Sequence, residues 1–325
     1  MARNETNESR CEMSFTLKMT TKLLLGVAAA CLVALPLCAQ KIEPMTAEET
    51  NLRNVGTPGH PGNNAAVDMP APPHKIIGNL YYVGTTVHCN YLIVTPQGDI
   101  LINTGYEHTW PMTQASIEKL GFKVSDIKII LGSHAHIDHQ EADAMVKQLT
   151  GAPVEVMDKD IPMLQKLTPG GKPHPVDKIL HDGDTVSLGG SSWVAHLTGG
   201  HTPGCTTWTS KIADGGKTYN VVIMCGGGAT GKLVDNPQYP TVVDDFHHTF
   251  AFLKTVPCDI PLGSHTDHYN ENEKYEVWMK NPNAPNPFID PTGCAIEAGN
   301  WEAVFNDLLA KQMKAAGGAG PSASN

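Results

Sequence analysis

The chain has 325 residues, of which 41% are hydrophobic and 17% are charged. This composition is typical of a globular protein that is large enough to bury a substantial core. The formal net charge is −10, and the sequence has no cluster of lysine or arginine residues that could bind phosphate groups. Nucleic acids and anionic membranes are therefore not expected as partners.

The start of the chain has the pattern of a secretory signal peptide, residues 1–39. Lys18 and Lys22 precede the apolar run 23–35, and a small residue, Ala39, comes before a polar one. The apolar run is too short to span a bilayer comfortably, and no stop-transfer pattern follows it. We expect cleavage after Ala39, which gives a secreted, periplasmic protein whose mature form has no membrane contact.

Strands and helices alternate along the rest of the chain. Residues 40–75 are rich in Pro, Gly and Asn and are predicted to form an extended N-terminal arm. Strands are predicted at 76–83, 90–94, 100–103, 127–131, 154–157, 192–197, 206–212, 219–224 and 259–263. Helices are predicted at 112–120, 140–149, 244–255 and 298–314, before a disordered tail at 315–325. This order favours one domain, residues 76–314, with two packed sheets and helices outside.

Removal of the signal peptide leaves five of the eight cysteines. They are Cys89, Cys205, Cys225, Cys258 and Cys294. An odd number in an oxidising compartment indicates at least one free thiol or metal-associated sulfur. A lipid anchor on one of the leader cysteines is an alternative, but neither Cys31 nor Cys38 has a good flanking pattern.

The strongest chemical signal follows the predicted strand 127–131. Four metal-ligand side chains fall within six residues there: His134, His136, Asp138 and His139. In an extended loop His134 and His136 point the same way and can share one ion. Asp138 and His139 can coordinate a second ion nearby, because imidazole nitrogen and carboxylate oxygen are both common zinc ligands. Chance clustering is the competing explanation, and the alternation directly after a buried strand argues against it.

Two ions need more than four ligands, and the ends of later strands supply them. His201 follows the strand that ends at residue 197, and His265 follows the strand that ends at residue 263. His268 is the fallback for His265. The remaining histidines are interpreted as solvated, packed or structural, although His88 could line a cleft.

The run 134–139, with His201 and His265 behind it, resembles the metallo-β-lactamase superfamily. More narrowly, it resembles the third subclass of the class B β-lactamases. The resemblance extends from about residue 76 to residue 309 and includes the segments 101–105, 201–208, 234–237 and 286–291. It implies an α+β fold, a four-layer αββα sandwich of two mixed sheets packed face to face with helices outside.

The resemblance also implies a cofactor, its ligands and a disulfide. Two zinc ions are expected, the first held by His134, His136 and His201 and the second by Asp138, His139 and His265. A disulfide is implied between Cys258 and Cys294. Cys205 is then interpreted as a buried strand thiol.

An open site with two ions predicts hydrolysis. A water that bridges the ions would lose a proton near neutral pH and give a hydroxide nucleophile. Together with this chemistry, the resemblance implies a β-lactamase, and we expect Asp138 to orient the hydroxide and shuttle its proton. The expected partner is a small-molecule β-lactam antibiotic, and the chain is expected to be a monomer.

Two departures from the subclass concern the surroundings of the site. Glu141 adds a carboxylate directly after the ligand run. The segment 225–229, Cys-Gly-Gly-Gly-Ala, replaces a serine that helps to grip the substrate carboxylate in relatives. Candidates for substrate contact are then Thr202, Gly226 and Lys232. Because another subclass has a thiolate ligand near this position, Cys225 is either a metal-proximal thiol or a simple free thiol.

Two other functions are compatible with the pattern. A lactone or thioester hydrolase of the same superfamily usually has a bridging Asp near residue 224, where this chain has Cys225 and Gly226. A catalytically silent exported zinc-binding protein would not need the complete ligand set.

Overall fold

The structure is a computed structural model and describes residues 68–229 and 231–317. The predicted signal peptide and most of the predicted arm and tail lie outside the described residues. Twelve strands and seven α-helices are found in the described part. None of these helices is both long and apolar enough to span a membrane.

The first sheet has seven strands in the order β1-β2-β3-β4-β5-β6-β7. They are β1 His74–Ile77, β2 Leu80–Tyr82, β3 Tyr91–Thr95, β4 Gly98–Ile102, β5 Ile127–Leu131, β6 Val154–Met157 and β7 Lys178–Leu180. The first four strands form an antiparallel meander, and the strands from β4 to β7 are parallel. Four helices lie between these strands: α1 Trp110–Lys119, α2 Ile137–Gln140, α3 Asp143–Thr150 and α4 Ile161–Leu164.

The second sheet has five strands in the order β12-β11-β10-β9-β8. They are β8 Thr185–Leu188, β9 Ser191–Leu197, β10 Thr206–Asp214, β11 Lys217–Met224 and β12 Ile260–Gly263. Strands β8 to β11 are antiparallel, and β12 pairs parallel to β11. Three helices accompany this sheet: α5 Val242–Thr255, α6 Glu271–Lys280 and α7 Gly293–Ala315.

Three hydrophobic clusters join these elements into layers. The central cluster lies between the sheets and joins inward residues such as Ile102 of β4 and Trp208 of β10. A second cluster packs Leu101 of β4 against α1 and α3, and a third packs Met224 of β11 against α5 and α7. Successive strand residues face opposite sides, so β4 contributes to both of its layers. The predicted αββα sandwich of two mixed sheets is confirmed.

The structure differs from the sequence prediction at the N-terminal edge of the domain. The arm was expected to extend to residue 75, but Ala71 is buried and β1 begins at His74. The predicted strand 76–83 is split at Gly78, which has a φ of +50°. A Cβ at Gly78 would lie 2.4 Å from Ile212, so this turn needs glycine both for its conformation and for its space.

Candidate metal centre

The loop after β5 carries the first predicted ligands and is held by side chains of neighbouring elements. Asn103, at the end of β4, has a φ of +64° and accepts a hydrogen bond from the Ser133 amide at 2.8 Å. The Asp160 carboxylate accepts another from the Ala135 amide at 2.8 Å. These two hydrogen bonds fix the backbone on either side of His134. Both acceptor side chains, those of Asn103 and Asp160, are buried.

His201 lies in the loop between β9 and β10. Asp160 also accepts hydrogen bonds from the Gly204 amide at 2.6 Å and from the Thr202 hydroxyl at 2.9 Å. The same carboxylate therefore ties this loop to the loop after β5. Nδ1 of His201 lies 2.8 Å from the Gly228 carbonyl oxygen, which leaves Nε2 for an ion.

His265 directly follows β12. The Ser264 amide donates to the Met224 carbonyl at 3.1 Å, and the Ser264 carbonyl accepts from the Cys89 amide at 2.9 Å. His265 thus lies between the ends of the two sheets, because Met224 belongs to β11 and Cys89 precedes β3.

The structure brings His134, His136 and His201 together. Their ring centroids are 4.7 Å apart in every pair, and one nitrogen of each lies within 4.8 Å of the other two. Nδ1 of His134 lies 3.2 Å from the Ser133 hydroxyl oxygen. Its Nε2 is buried and has no hydrogen-bond partner among the described residues, as expected of an atom that faces a metal.

The structure also brings Asp138, His139 and His265 together. Asp138 Oδ2 lies 3.2 Å from His139 Nε2 and 3.5 Å from His265 Nε2, and the two nitrogens are 3.1 Å apart. Ligand atoms around a tetrahedral zinc with bonds of about 2.0–2.1 Å are about 3.3–3.4 Å apart. The ring centroids of His134 and His139 are 4.2 Å apart, so the two groups are adjacent.

Electrostatics keep five of the six donors in the states that bind metal. Burial is the largest cause of a lowered pKa at four histidines, and repulsion from a neighbouring histidine adds to it: His134, His136, His201 and His265. The pKa of His136 falls to about 4. Burial raises the pKa of Asp138, but the surrounding histidines outweigh it and hold that pKa well below its usual range. Neutral imidazoles and an ionised carboxylate fit zinc.

The structure corrects the prediction of free thiols at Cys205 and Cys225. The two residues form a disulfide with Cα atoms 5.7 Å apart. Cys205 precedes β10 and Cys225 follows β11, and the open end of this antiparallel hairpin brings the sulfurs together. Cys225 Sγ lies 3.5 Å from Nδ1 of His134, but a disulfide sulfur offers no thiolate to a metal.

The structure also joins Cys258 to Cys294, the pair that the resemblance implied. The free cysteine of the described part of the chain is Cys89, which is buried. Burial raises the pKa of its thiol well above the usual range.

The predicted substrate contacts have different surroundings. Thr202 is buried and its hydroxyl donates a hydrogen bond to Asp160, and its contact with substrate stays a prediction. A Cβ at Gly226 would lie 3.2 Å from the His201 ring, so Gly226 packs against that ring. Lys232 is exposed, and its contact with substrate stays a prediction.

Glu141, the additional carboxylate after the ligand run, accepts a hydrogen bond from the Glu107 amide at 3.0 Å. This bond holds its side chain towards the loop before α1.

Two other histidines complete the surroundings. His268, the fallback ligand, packs against Trp301 with ring centroids 4.8 Å apart. The sequence leaves His88 as solvated, structural or lining a cleft; the structure shows it buried and joined to His265 by a backbone bridge. Burial lowers the pKa of His88, but attraction to Asp138 and Asp68 outweighs burial and raises it to about 9 in the metal-free protein. This position depends on a long-range pairing that no local pattern reveals.

Comparison with known proteins identifies the family. The family model described as the metallo-beta-lactamase superfamily matches residues 84–214. The native FEZ-1 metallo-β-lactamase from Legionella gormanii is 46% identical, with a TM-score of 0.72, and the match covers 75% of this chain and 98% of that one. This chain belongs to the metallo-β-lactamase superfamily.

Two further proteins are similar over different lengths. BJP-1 of Bradyrhizobium japonicum, a subclass B3 metallo-β-lactamase, is 39% identical with a TM-score of 0.71, over 76% of this chain and 97% of that one. A curated relative, a probable metallo-hydrolase of Methanocaldococcus jannaschii, is 32% identical over 76 residues. That match covers 23% of this chain and 35% of the relative. The predicted resemblance to the third subclass of class B is confirmed.

Proposed function

We propose that this protein is a secreted two-zinc β-lactamase that hydrolyses the β-lactam amide bond. The main support is the pair of adjacent donor groups, three histidines in one and Asp138, His139 and His265 in the other. They lie on a chain that is 46% identical to a protein described as a metallo-β-lactamase, over nearly all of that protein.

Each ligand in this proposal has a role that follows from its surroundings. When bound, zinc supplies Lewis acidity and makes water nucleophilic near neutral pH. His134, His136 and His201 hold the first ion, and their Nδ1 or Nε2 lone pairs are available because burial keeps the rings neutral. Asp138 stays ionised, holds the second ion with His139 and His265, orients the attacking water and accepts its proton.

The substrate side of the site is proposed to use the segment after β11. The Gly228 carbonyl oxygen lies 2.8 Å from His201 Nδ1, and Gly226 packs against the same ring. Lys232 follows this segment, is exposed, and offers a cation to the carboxylate that β-lactam antibiotics carry. No serine or cysteine nucleophile is needed, and both sulfurs near the site are in a disulfide.

The proposed location is the periplasm or the extracellular space, and the proposed state is a monomer. The signal-peptide pattern of residues 1–39 supports export. Two disulfides support the same location, because such bonds persist in oxidising compartments.

The test compares the mature protein with a His136→Ala variant on a chromogenic cephalosporin and on a lactone. The proposal expects cephalosporin turnover by the wild type and loss of that turnover in the variant, since His136 supplies a ligand nitrogen. Full activity of the variant would refute the ligand assignment. Lactone turnover without cephalosporin turnover would favour the lactone or thioester hydrolase.

A further inference from the structure

His88 lies beside Asp138 and is not among the ligands that the family resemblance implies. Its side chain is 2% exposed, and its Nε2 lies 3.3 Å from Asp138 Oδ2. Both atoms are buried, and within the described residues neither has a hydrogen-bond partner. In the metal-free protein the two atoms attract each other as an ion pair. An imidazole nitrogen and a carboxylate oxygen at this separation can also be joined by one metal ion.

A second contact fixes the orientation of the His88 ring. Nδ1 of His88 lies 2.5 Å from Oδ2 of Asp68, whose side chain is fully buried. Asp68 also accepts a hydrogen bond from the Val87 amide at 3.3 Å. A carboxylate on one ring nitrogen, with the other nitrogen facing a metal site, is the usual arrangement of a metal-ligating histidine.

The position of His88 relative to His265 completes the geometry. The two residues form a backbone bridge, and their ring centroids are 5.1 Å apart. One nitrogen of His88, one nitrogen of His265 and one oxygen of Asp138 all lie within 4.8 Å of one another. These three donors are therefore close enough to one another to share one ion.

We propose that His88 is an additional protein ligand of the second metal ion, with Asp68 orienting its ring. This inference rests on the proposed two-metal function. With His88, Asp138, His139 and His265 together, the second ion would have four protein ligands. Four ligands fill a tetrahedral zinc site. The second ion is then held more tightly than by three protein ligands and has less room for a substrate atom.

Zn²⁺ and Co²⁺ titrations of the metal-free protein test this inference. The wild type is compared with His88→Leu, His88→Gln and Asp68→Asn. We expect two ions per wild-type chain, and a second ion that binds at least about 10-fold more weakly in His88→Leu. The visible spectrum of the second Co²⁺ equivalent should change in both His88 variants, because the number of donors around it falls. The first equivalent should be unaffected. Asp68→Asn should weaken the second ion by about 10–100-fold.

His181→Leu is the matched control, because His181 is an exposed histidine 3.6 Å from a carboxylate, that of Asp184. It should bind both ions as the wild type does. Circular dichroism and thermal unfolding of each metal-free variant check that it folds.

Three results would overturn the inference. Wild-type affinity and spectrum in His88→Leu would show that His88 is not a ligand. The same result in His88→Gln alone would show that His88 only donates a hydrogen bond to Asp138, which an amide can replace. A wild type that binds fewer than two ions would overturn the proposed function together with this inference.

Discussion

The hydroxyl of Thr202 donates a hydrogen bond to the buried carboxylate of Asp160 at 2.9 Å. The same carboxylate accepts from the amides of Ala135 and Gly204. Ala135 lies between the two histidines of the loop after β5, and Thr202 follows His201 in the chain. Asp160 therefore sets the relative position of all three ligands of the first metal group without contacting a metal.

Replacing Asp160 with Asn should loosen both ligand loops. The amide group keeps the shape of the side chain but replaces one acceptor oxygen with an NH2 group. That NH2 group then faces a donor at a position where the carboxylate oxygen accepts a hydrogen bond. We expect a loss of about 2–3 kcal/mol in the free energy of unfolding and about 10-fold weaker binding of the first zinc. Denaturant unfolding and zinc competition measure these effects. Asp158→Asn, two residues away, is the control, and equal effects of both variants would contradict the role of Asp160.

The metal-free protein should lose stability in mild acid. The folded state holds the pKa of His136 at about 4, whereas an unfolded histidine titrates near about 6.5. The unfolded chain thus binds more protons between these values, and stability falls as the pH drops from about 6.5 to about 4. The His136 contribution is about 3 kcal/mol. Unfolding measured across this range should show a shallower pH dependence in His136→Gln, and an unchanged slope would contradict the prediction.

Thiol titration should find one reactive cysteine in the mature protein after unfolding without reductant and without metal. Cys89 supplies that thiol, since Cys205–Cys225 and Cys258–Cys294 are bonded. Three thiols would mean that one of the two disulfides is absent from the protein in solution, and peptide mapping would identify which. Five thiols would contradict both.

The glycine run after β11 is required by close packing. A Cβ at Gly227 would lie 1.9 Å from the Trp301 ring. A Cβ at Gly299, in α7, would extend into open space, with no side chain of the described residues within 4 Å. We expect Gly227→Ala to cost about 1–3 kcal/mol of stability and to weaken zinc binding, because the next residue, Gly228, holds His201. Gly299→Ala should be neutral or stabilising by up to about 1 kcal/mol. Thermal unfolding compares them, and equal stabilities would contradict this packing.

Local patterns predicted the parts of the structure that depend on neighbouring residues. Strand β5 is predicted with its observed bounds, because its apolar run ends at a glycine. Strand β7 and helix α6 are not predicted from the sequence. Strand β7 has three residues, Lys-Ile-Leu, and is too short to show a pattern. Among the ten residues of α6 only Glu271 and Tyr275 are buried, so this helix shows no continuous apolar face.

The residues of the candidate site differ in the same way in how far local sequence predicts them. Six ligands are predicted because each directly follows a strand or lies in one short run of histidines. Asp160 and His88 are missed because their roles arise from contacts between distant segments: 42 residues separate Asp160 from Thr202, and 20 separate His88 from Asp68. The Cys205–Cys225 bond is missed for the same reason, since it depends on the register of a hairpin.

The most direct test of the account is hydrolysis of a carbapenem and a chromogenic cephalosporin by the purified mature protein, as zinc is removed by a chelator and then returned. The account predicts turnover that disappears on chelation and recovers fully with up to two equivalents of zinc per chain. Absence of turnover by a protein that demonstrably holds two zinc ions, or turnover that is indifferent to chelation, would contradict it.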